Sequence, residues 1–205
     1  IGNTTSPAKV GLVTAIVPYK ETGVWDMTTE IEVTMTSGEL LSKSELAVLN
    51  GENWCMIGQE MIGFQSAILI SDKTYRLSKL LRGRQGTEVY ASMHAANELF
   101  CSLDNLVRLE FADADRGKVK KFKVVSIGAD MSASGVQRDV QIISNNTRMW
   151  SVYDLKHEVI ADTVKLTWKE RVRYDNQLKD FADINHDPDW GGFGIAVLDS
   201  SDILK

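Results

Sequence analysis

The sequence predicts a mainly β fold of antiparallel strands with one or two short helices. Three observations carry this reading. The segment Thr28–Thr36 alternates without a break, Ile31, Val33 and Met35 facing one way and Glu30, Glu32, Thr34 and Thr36 the other. That period of two marks a strand with one wet face. Further strand-like runs follow at short intervals, separated by Gly, Asp, Asn and Ser turns, a pattern of antiparallel architecture rather than βαβ units. The best helical segment, Ser42 to Leu49, is short.

Taken in order, Ile1 to Lys9 is small and polar and reads as a loose lead-in. The chain opens on Ile1 rather than Met, which suggests a processed chain or a piece of a longer protein. Nothing near it resembles a secretory signal. After the Thr28–Thr36 strand, Ser37-Gly38 forms a turn. Ser42 is placed to cap the helix, with Glu45 completing a capping box and Asn50-Gly51 stopping it. Strands are then expected at Glu60–Phe64, Ala67–Ser71, Tyr75–Leu81, Leu99–Leu103, Val107–Phe111, Val119–Ser126 and Val136–Ser144. The last two form a hairpin around a Gly/Ser/Ala loop. Trp54, Met27, Met56 and Met61 are expected in the core.

The composition shifts at Asn145-Asn146-Thr147, which divides a β-rich domain, 1–150, from a second piece, 151–205. In that piece Val164, Leu166 and Trp168 alternate with Lys165, Thr167 and Lys169, and Phe193–Leu198 gives another strand. The expected arrangement is a small sheet that joins the two runs and buries most of Trp168. Two or three strands do not close a sandwich, so the piece reads as the opening of a second β domain or as a flap.

Composition bounds the function. The 205 residues are 43% hydrophobic and 25% charged, as in ordinary globular domains. A chain of this length buries roughly two-thirds to three-quarters of its unfolded surface and needs no staple. The apolar share is too high for disorder. Apolar runs such as Ala67–Ile70 fall far short of the roughly 20 residues of a transmembrane helix. A net charge of −5 lacks the basic surplus of a non-specific nucleic-acid binder, although Lys118, Lys120, Lys121 and Lys123 form a local basic patch. Cys55 and Cys101 have no CxxC spacing and read as buried free thiols, a single disulfide being the alternative.

Catalytic motifs are missing. There is no phosphate loop, zinc helix or nucleophile elbow. His94, His157 and His186 lie far apart, and no local context makes a nucleophile–base pair of Cys55 or Cys101 with His94. The expectation is a non-enzyme without a cofactor. Asp183, Asn185, Asp187 and Asp189 place oxygens at alternate positions, as calcium loops do. Pro188 stands where the loop needs Gly and Gly194 where it needs a bidentate Glu, so a solvated acidic loop is the favoured reading.

The most distinctive stretch is Tyr75 to Glu88, in which Gly83 and Gly86 flank Arg84 and Gln85. Glycines so placed suggest a sharp turn with positive φ. Arg82 and Arg84 are able to fork onto a carboxylate or phosphate of a partner. The favoured alternative is a structural corner pinned by an internal pair with a carboxylate such as Glu88.

From here the sequence resembles a known family. The run Asn50-Gly51-Glu52-Asn53, then Ile57-Gly58-Gln59-Glu60-Met61-Ile62-Gly63-Phe64-Gln65-Ser66-Ala67, then Tyr75-Arg76-Leu77-Ser78, then Leu80-Leu81-Arg82-Gly83-Arg84-Gln85-Gly86-Thr87-Glu88, with His94 beyond, resembles the tail-tip (hub, host-specificity) proteins of siphophages, prophages and gene transfer agents; the resemblance runs from Thr28 to Arg173 and is densest over Asn50–His94. Trp168-Lys169-Glu170-Arg171-Val172-Arg173 resembles the strand that opens a fibronectin-III-like module there. The segment Asp187-Pro188-Asp189-Trp190-Gly191-Gly192-Phe193 departs from the family's pattern, and nothing corresponds to the glycosidase-related domain of some members.

The resemblance implies a hub-type β domain followed by the start of a fibronectin-III-like module. It implies a virion structural component that scaffolds the tail end and supports host attachment. Such a chain would be made in the bacterial cytoplasm and placed at the tail tip as a homotrimer with other tail proteins, with the host surface as a further partner. Two other classes remain: a carbohydrate-binding adhesion module, hinted at by Trp190 with Tyr174, and a peptidoglycan-directed hydrolase, which would need facing carboxylates about 5–10 Å apart.

Overall fold

The computed structural model describes residues 7–104, 106–107, 109–126, 128–130, 132, 135–143, 152–170 and 191–196. The chain divides into two compact units, Ile1–Arg148 and Met149–Lys205. It is mainly β and its strand pairings are antiparallel.

The first unit holds strands β1 (Val10–Val13), β2 (Trp25–Asp26), β3 (Ile31–Ser37), β4 (Trp54–Ile57), β5 (Glu60–Ser71), β6 (Thr74–Leu81) and β7 (Glu98–Ser102). They run in the order β2-β6-β3-β1-β7-β4-β5, and β5 pairs back onto β6. Six of them therefore close into an antiparallel barrel, with β2 extending one side of β6. Closure removes the free edges that an open sheet exposes.

The alternation seen in the sequence builds the interior. Ile31, Val33 and Met35 of β3 are buried, while Glu32, Thr34 and Thr36 face water. Val13, Ile57, Ile62, Phe64, Leu77, Leu80 and Phe100 complete the core, with the Phe64 and Phe100 rings 6.4 Å apart. Each such side chain contributes about 1.5–3 kcal/mol by leaving water. In β6 the alternation slips once. Lys79 has φ 55, so Leu77 and Leu80, three residues apart, are both buried.

Several expectations need correction. The strands expected at Glu60–Phe64 and Ala67–Ser71 are one twelve-residue strand, β5. It pairs with β4 through Glu60–Gly63 and with β6 beyond, and this double use requires its length. Helix α1 spans Glu45–Leu49, and its cap is Ser44, which accepts a bond from the Ala47 N–H. Ser42 serves β5 instead: its hydroxyl accepts from the Ala67 N–H at 2.9 Å and donates to the Ala67 carbonyl at 3.3 Å. The described residues of Val107–Phe111 form no strand, because the barrel is already closed and offers them no ladder. Phe111 packs edge-on against Phe122. Met27 is exposed, and Trp54, Met56 and Met61 are half-buried. Strands β1, β2 and β4 had no counterpart among the expected elements.

The expected hairpin is present as β8 (Val119–Val124) and β9 (Val136–Gln141), a two-stranded sheet of its own. Lys118 and Lys120 of the basic patch pair with Asp115.

In the second unit, β10 (Tyr153–Ile160) and β11 (Thr163–Lys169) form a hairpin. Strand β11 is the one read from Val164, Leu166 and Trp168, but its partner is β10. Residues 193–196 adopt no strand, and Val197 and Leu198 lie outside the described residues. The hairpin wins because a two-residue turn at Ala161-Asp162 brings β10 alongside directly. Trp168 is half-buried with Phe193 edge-on at 5.5 Å, while Val164 is exposed.

Candidate functional site

The distinctive Tyr75–Glu88 stretch leaves β6 at Leu81 and turns at once. Gly83 takes a left-handed conformation, φ 61 and ψ 38, and Gln85 a similar one at φ 55. Short 3₁₀ turns follow at Arg84–Gly86 and Glu88–Ser92. The corner is tight as well as left-handed: a Cβ on Gly83 would lie 2.6 Å from Thr22 Cγ2 and 3.0 Å from Glu88 Cα.

Arg82 is wholly buried at this corner. Its Nε donates to Glu60 Oε1 at 2.9 Å, its Nη2 to Glu60 Oε2 at 2.7 Å, and its Nη1 to the Pro18 carbonyl at 3.0 Å. The Gly83 N–H donates to Glu60 Oε1 at 2.7 Å. The carboxylate gripped by the Arg82 fork is therefore Glu60, on the first residue of β5, rather than the Glu88 expected from proximity. Planar guanidinium and carboxylate match in two parallel bonds, the strongest form such a pair takes.

Glu60 also meets His94. Its Oε2 lies 2.7 Å from His94 Nε2, and His94 Nδ1 lies 2.5 Å from Glu98 Oε2. The His94 side chain is buried and that of Glu98 is half-buried. Gly58, in the turn between β4 and β5, makes room for the Glu98 carboxylate, whose Oε1 would be 2.5 Å from a Cβ there. Glu60, Arg82, His94 and Glu98 thus form one buried ionic cluster on β5, β7 and the ends of the corner.

Of the residues singled out in the sequence, Arg82, Gly83 and His94, the last between two carboxylates rather than beside a thiol, build this cluster. Gly86 is buried beside it, Arg84 lies over the Trp54 ring at 5.7 Å, and Glu88 wedges against Gly83. The proximity argument did not find Glu60 and Glu98. A signal for Glu60 existed, since Glu60, Ile62 and Phe64 share the inward side of β5 and a carboxylate in that register needs a buried partner. Two facing carboxylates do occur, yet they close on His94 rather than on an open cleft.

Cys55 and Cys101 are free thiols. Cys55 is on the inner side of β4 opposite Ser102, and Cys101 is on the outer side opposite Met56. Burial, and then the charge of Glu60, pushes the Cys55 thiol well up. That is the reverse of what an attacking thiolate needs. Among the described residues no three His, Cys, Asp or Glu side chains gather as metal ligands. Asp183, Asn185, Asp187 and Asp189, with Tyr174 and Trp190, lie outside the described residues.

Around the barrel many apolar side chains face water, among them Ile16, Tyr19, Leu41, Leu46, Val89 and Met93. Leu12 and Leu99 stand directly opposite one another on the outer face of β1 and β7, and both are exposed. An open groove of about 520 Å³ is lined by Met56, Met61, Gln85, Thr87, Tyr90 and Ile143.

No curated protein matches the chain. Residues 8–101, which run from β1 into β7 and take in the corner, match the family model described as Rcc01698-like, C-terminal.

Proposed function

We propose that this chain is a structural component of a phage-type tail tip, from a phage, prophage or gene transfer agent, and that it scaffolds the tail end and supports host attachment. One observation carries the reading. The run Leu80 to Glu88 and the run Ile57 to Ala67, both within Asn50–His94, where the resemblance to tail-tip proteins is densest, meet at the Glu60–Arg82 corner. The resemblance therefore falls on residues that build the barrel, as expected of shared architecture rather than shared chemistry.

The exposed apolar side chains around the barrel support an assembly role, because extensive apolar surface marks contact with other chains. In the proposed tail the barrel belongs to a hub, three copies surround the axis with other tail proteins, and the second unit begins a fibronectin-III-like module. The chain acts without catalysis and without a cofactor, by holding surfaces in place.

Deleting the gene tests this. The expected result is particles with heads and tail tubes but with absent or defective tips, restored to infectivity by the gene in trans. Particles of normal form and titre without the gene would overturn the reading.

A further inference from the structure

We propose that His94 is a protonation-dependent latch: carrying both ring protons, it clamps the strap Arg84–Asn97 to the barrel between Glu60 and Glu98, and losing one loosens the strap.

Hydrogen-bond donors set the protonation state of the ring. Ionised carboxylates only accept hydrogen bonds, and a neutral imidazole donates one. His94 faces a carboxylate oxygen at each ring nitrogen. Both contacts are bonds only when both nitrogens carry hydrogen. Glu60 is held as an acceptor by the Arg82 fork and the Gly83 N–H. Charge gives the same answer. Glu60 on β5, Glu98 on β7, Arg82 at the end of β6 and His94 on the strap sum to zero only when the ring is charged. The Cys55 thiol on β4 is neutral, and Glu88 lies on the strap beside Gly83. With a neutral ring, one buried negative charge loses its counter-charge and one lone pair turns toward a carboxylate, both unfavourable out of water.

The strap depends on this contact because its backbone bonds are local. Thr87 N–H donates to Arg84, Tyr90 to Thr87 and Met93 to Tyr90. It reaches the barrel through side chains: Arg84 lies over the Trp54 ring, Ala91 is buried, Thr87 Oγ1 accepts from the Met61 N–H at 3.0 Å, and His94 bridges the two carboxylates.

Amide hydrogen exchange of the full chain, corrected for intrinsic rates, tests the latch at about pH 5.5 and about pH 8, either side of the range in which histidine changes charge. Protection of amides in 84–97 should fall by roughly tenfold or more at the higher pH, while β3 amides hold steady. In His94→Gln, which keeps one donor, the strap should exchange fast at both. Unchanged strap protection in the wild type would refute the latch, as would equal pH dependence in the variant. Should His94→Gln not fold, Glu98→Gln replaces it: a diminished pH response supports the latch, and a full wild-type response refutes it.

Discussion

Glu60 and Arg82, twenty-two residues apart in sequence, meet with both side chains wholly buried where β5 begins and β6 ends. Every polar atom of the pair has a use: the guanidinium also reaches Pro18 and the carboxylate also takes Gly83 and His94. Arg82→Ala takes the guanidinium fork from the buried Glu60, leaves it His94 and the Gly83 N–H alone, and should cost about 3–5 kcal/mol in chemical denaturation. Arg82→Lys keeps the charge but loses the fork, so it should fall between wild type and alanine. In the double variant with Glu60→Ala the losses should be well below additive, the mark of a direct interaction.

The corner also depends on two absent side chains. Gly83→Ala must hold alanine at φ 61 against Thr22 and Glu88, and should cost about 1–3 kcal/mol for the backbone alone. Gly58→Ala carries the same left-handed strain, at φ 56, but its Cβ meets the end of the Glu98 side chain where that of Gly83 also meets the Glu88 backbone. It should therefore destabilise the fold as well and, by displacing Glu98, shift the His94 ring resonances in NMR.

Asp26 gives a pH dependence with a definite sign. Burial acts to raise its carboxyl, but hydrogen bonds from Thr29 and Thr28 outweigh it and hold the group below its ordinary value. Oδ1 accepts from the Thr28 N–H, the Thr28 hydroxyl and the Thr29 N–H, each at 3.0 Å. A carboxyl lowered by folding stabilises the folded state above the unfolded value, about 3.9, and loses that contribution as pH falls through the folded value. Acid titration of stability should show this loss in the wild type. Asp26→Asn, which has no carboxyl to protonate, should have a flatter profile below about pH 4.

In the second unit, Phe193 covers one edge of Trp168. In a variant keeping Trp168 as its sole tryptophan, acrylamide should quench less efficiently than it quenches free tryptophan. Phe193→Ala should raise the quenching. Equal quenching with and without Phe193 would mean that the contact does not form in solution.

The fold was legible where local pattern decides. Ile31, Val33 and Met35 announce β3, and the apolar runs announce β6, β7 and the β8–β9 hairpin. Strand β1 is four residues long, too short to show a period, and β10 is set by the turn that pairs it with β11. The capping residue moved from Ser42 to Ser44 because a tertiary use of Ser42, bridging Ala67, competes with capping. At the corner, the glycines and Arg82 could be read from spacing alone. The register of β5 marks Glu60 as an inward carboxylate but not as the partner of Arg82, because barrel closure rather than proximity in sequence chooses that partner.

The place proposed for this chain is an assembled tail tip. Immunogold labelling of purified particles, with an antibody against the barrel, tests it most directly. Label is expected at the tail end distal to the head in particles that carry the gene, and none in the deletion. Particles that bear no label while the cells contain the protein would contradict it.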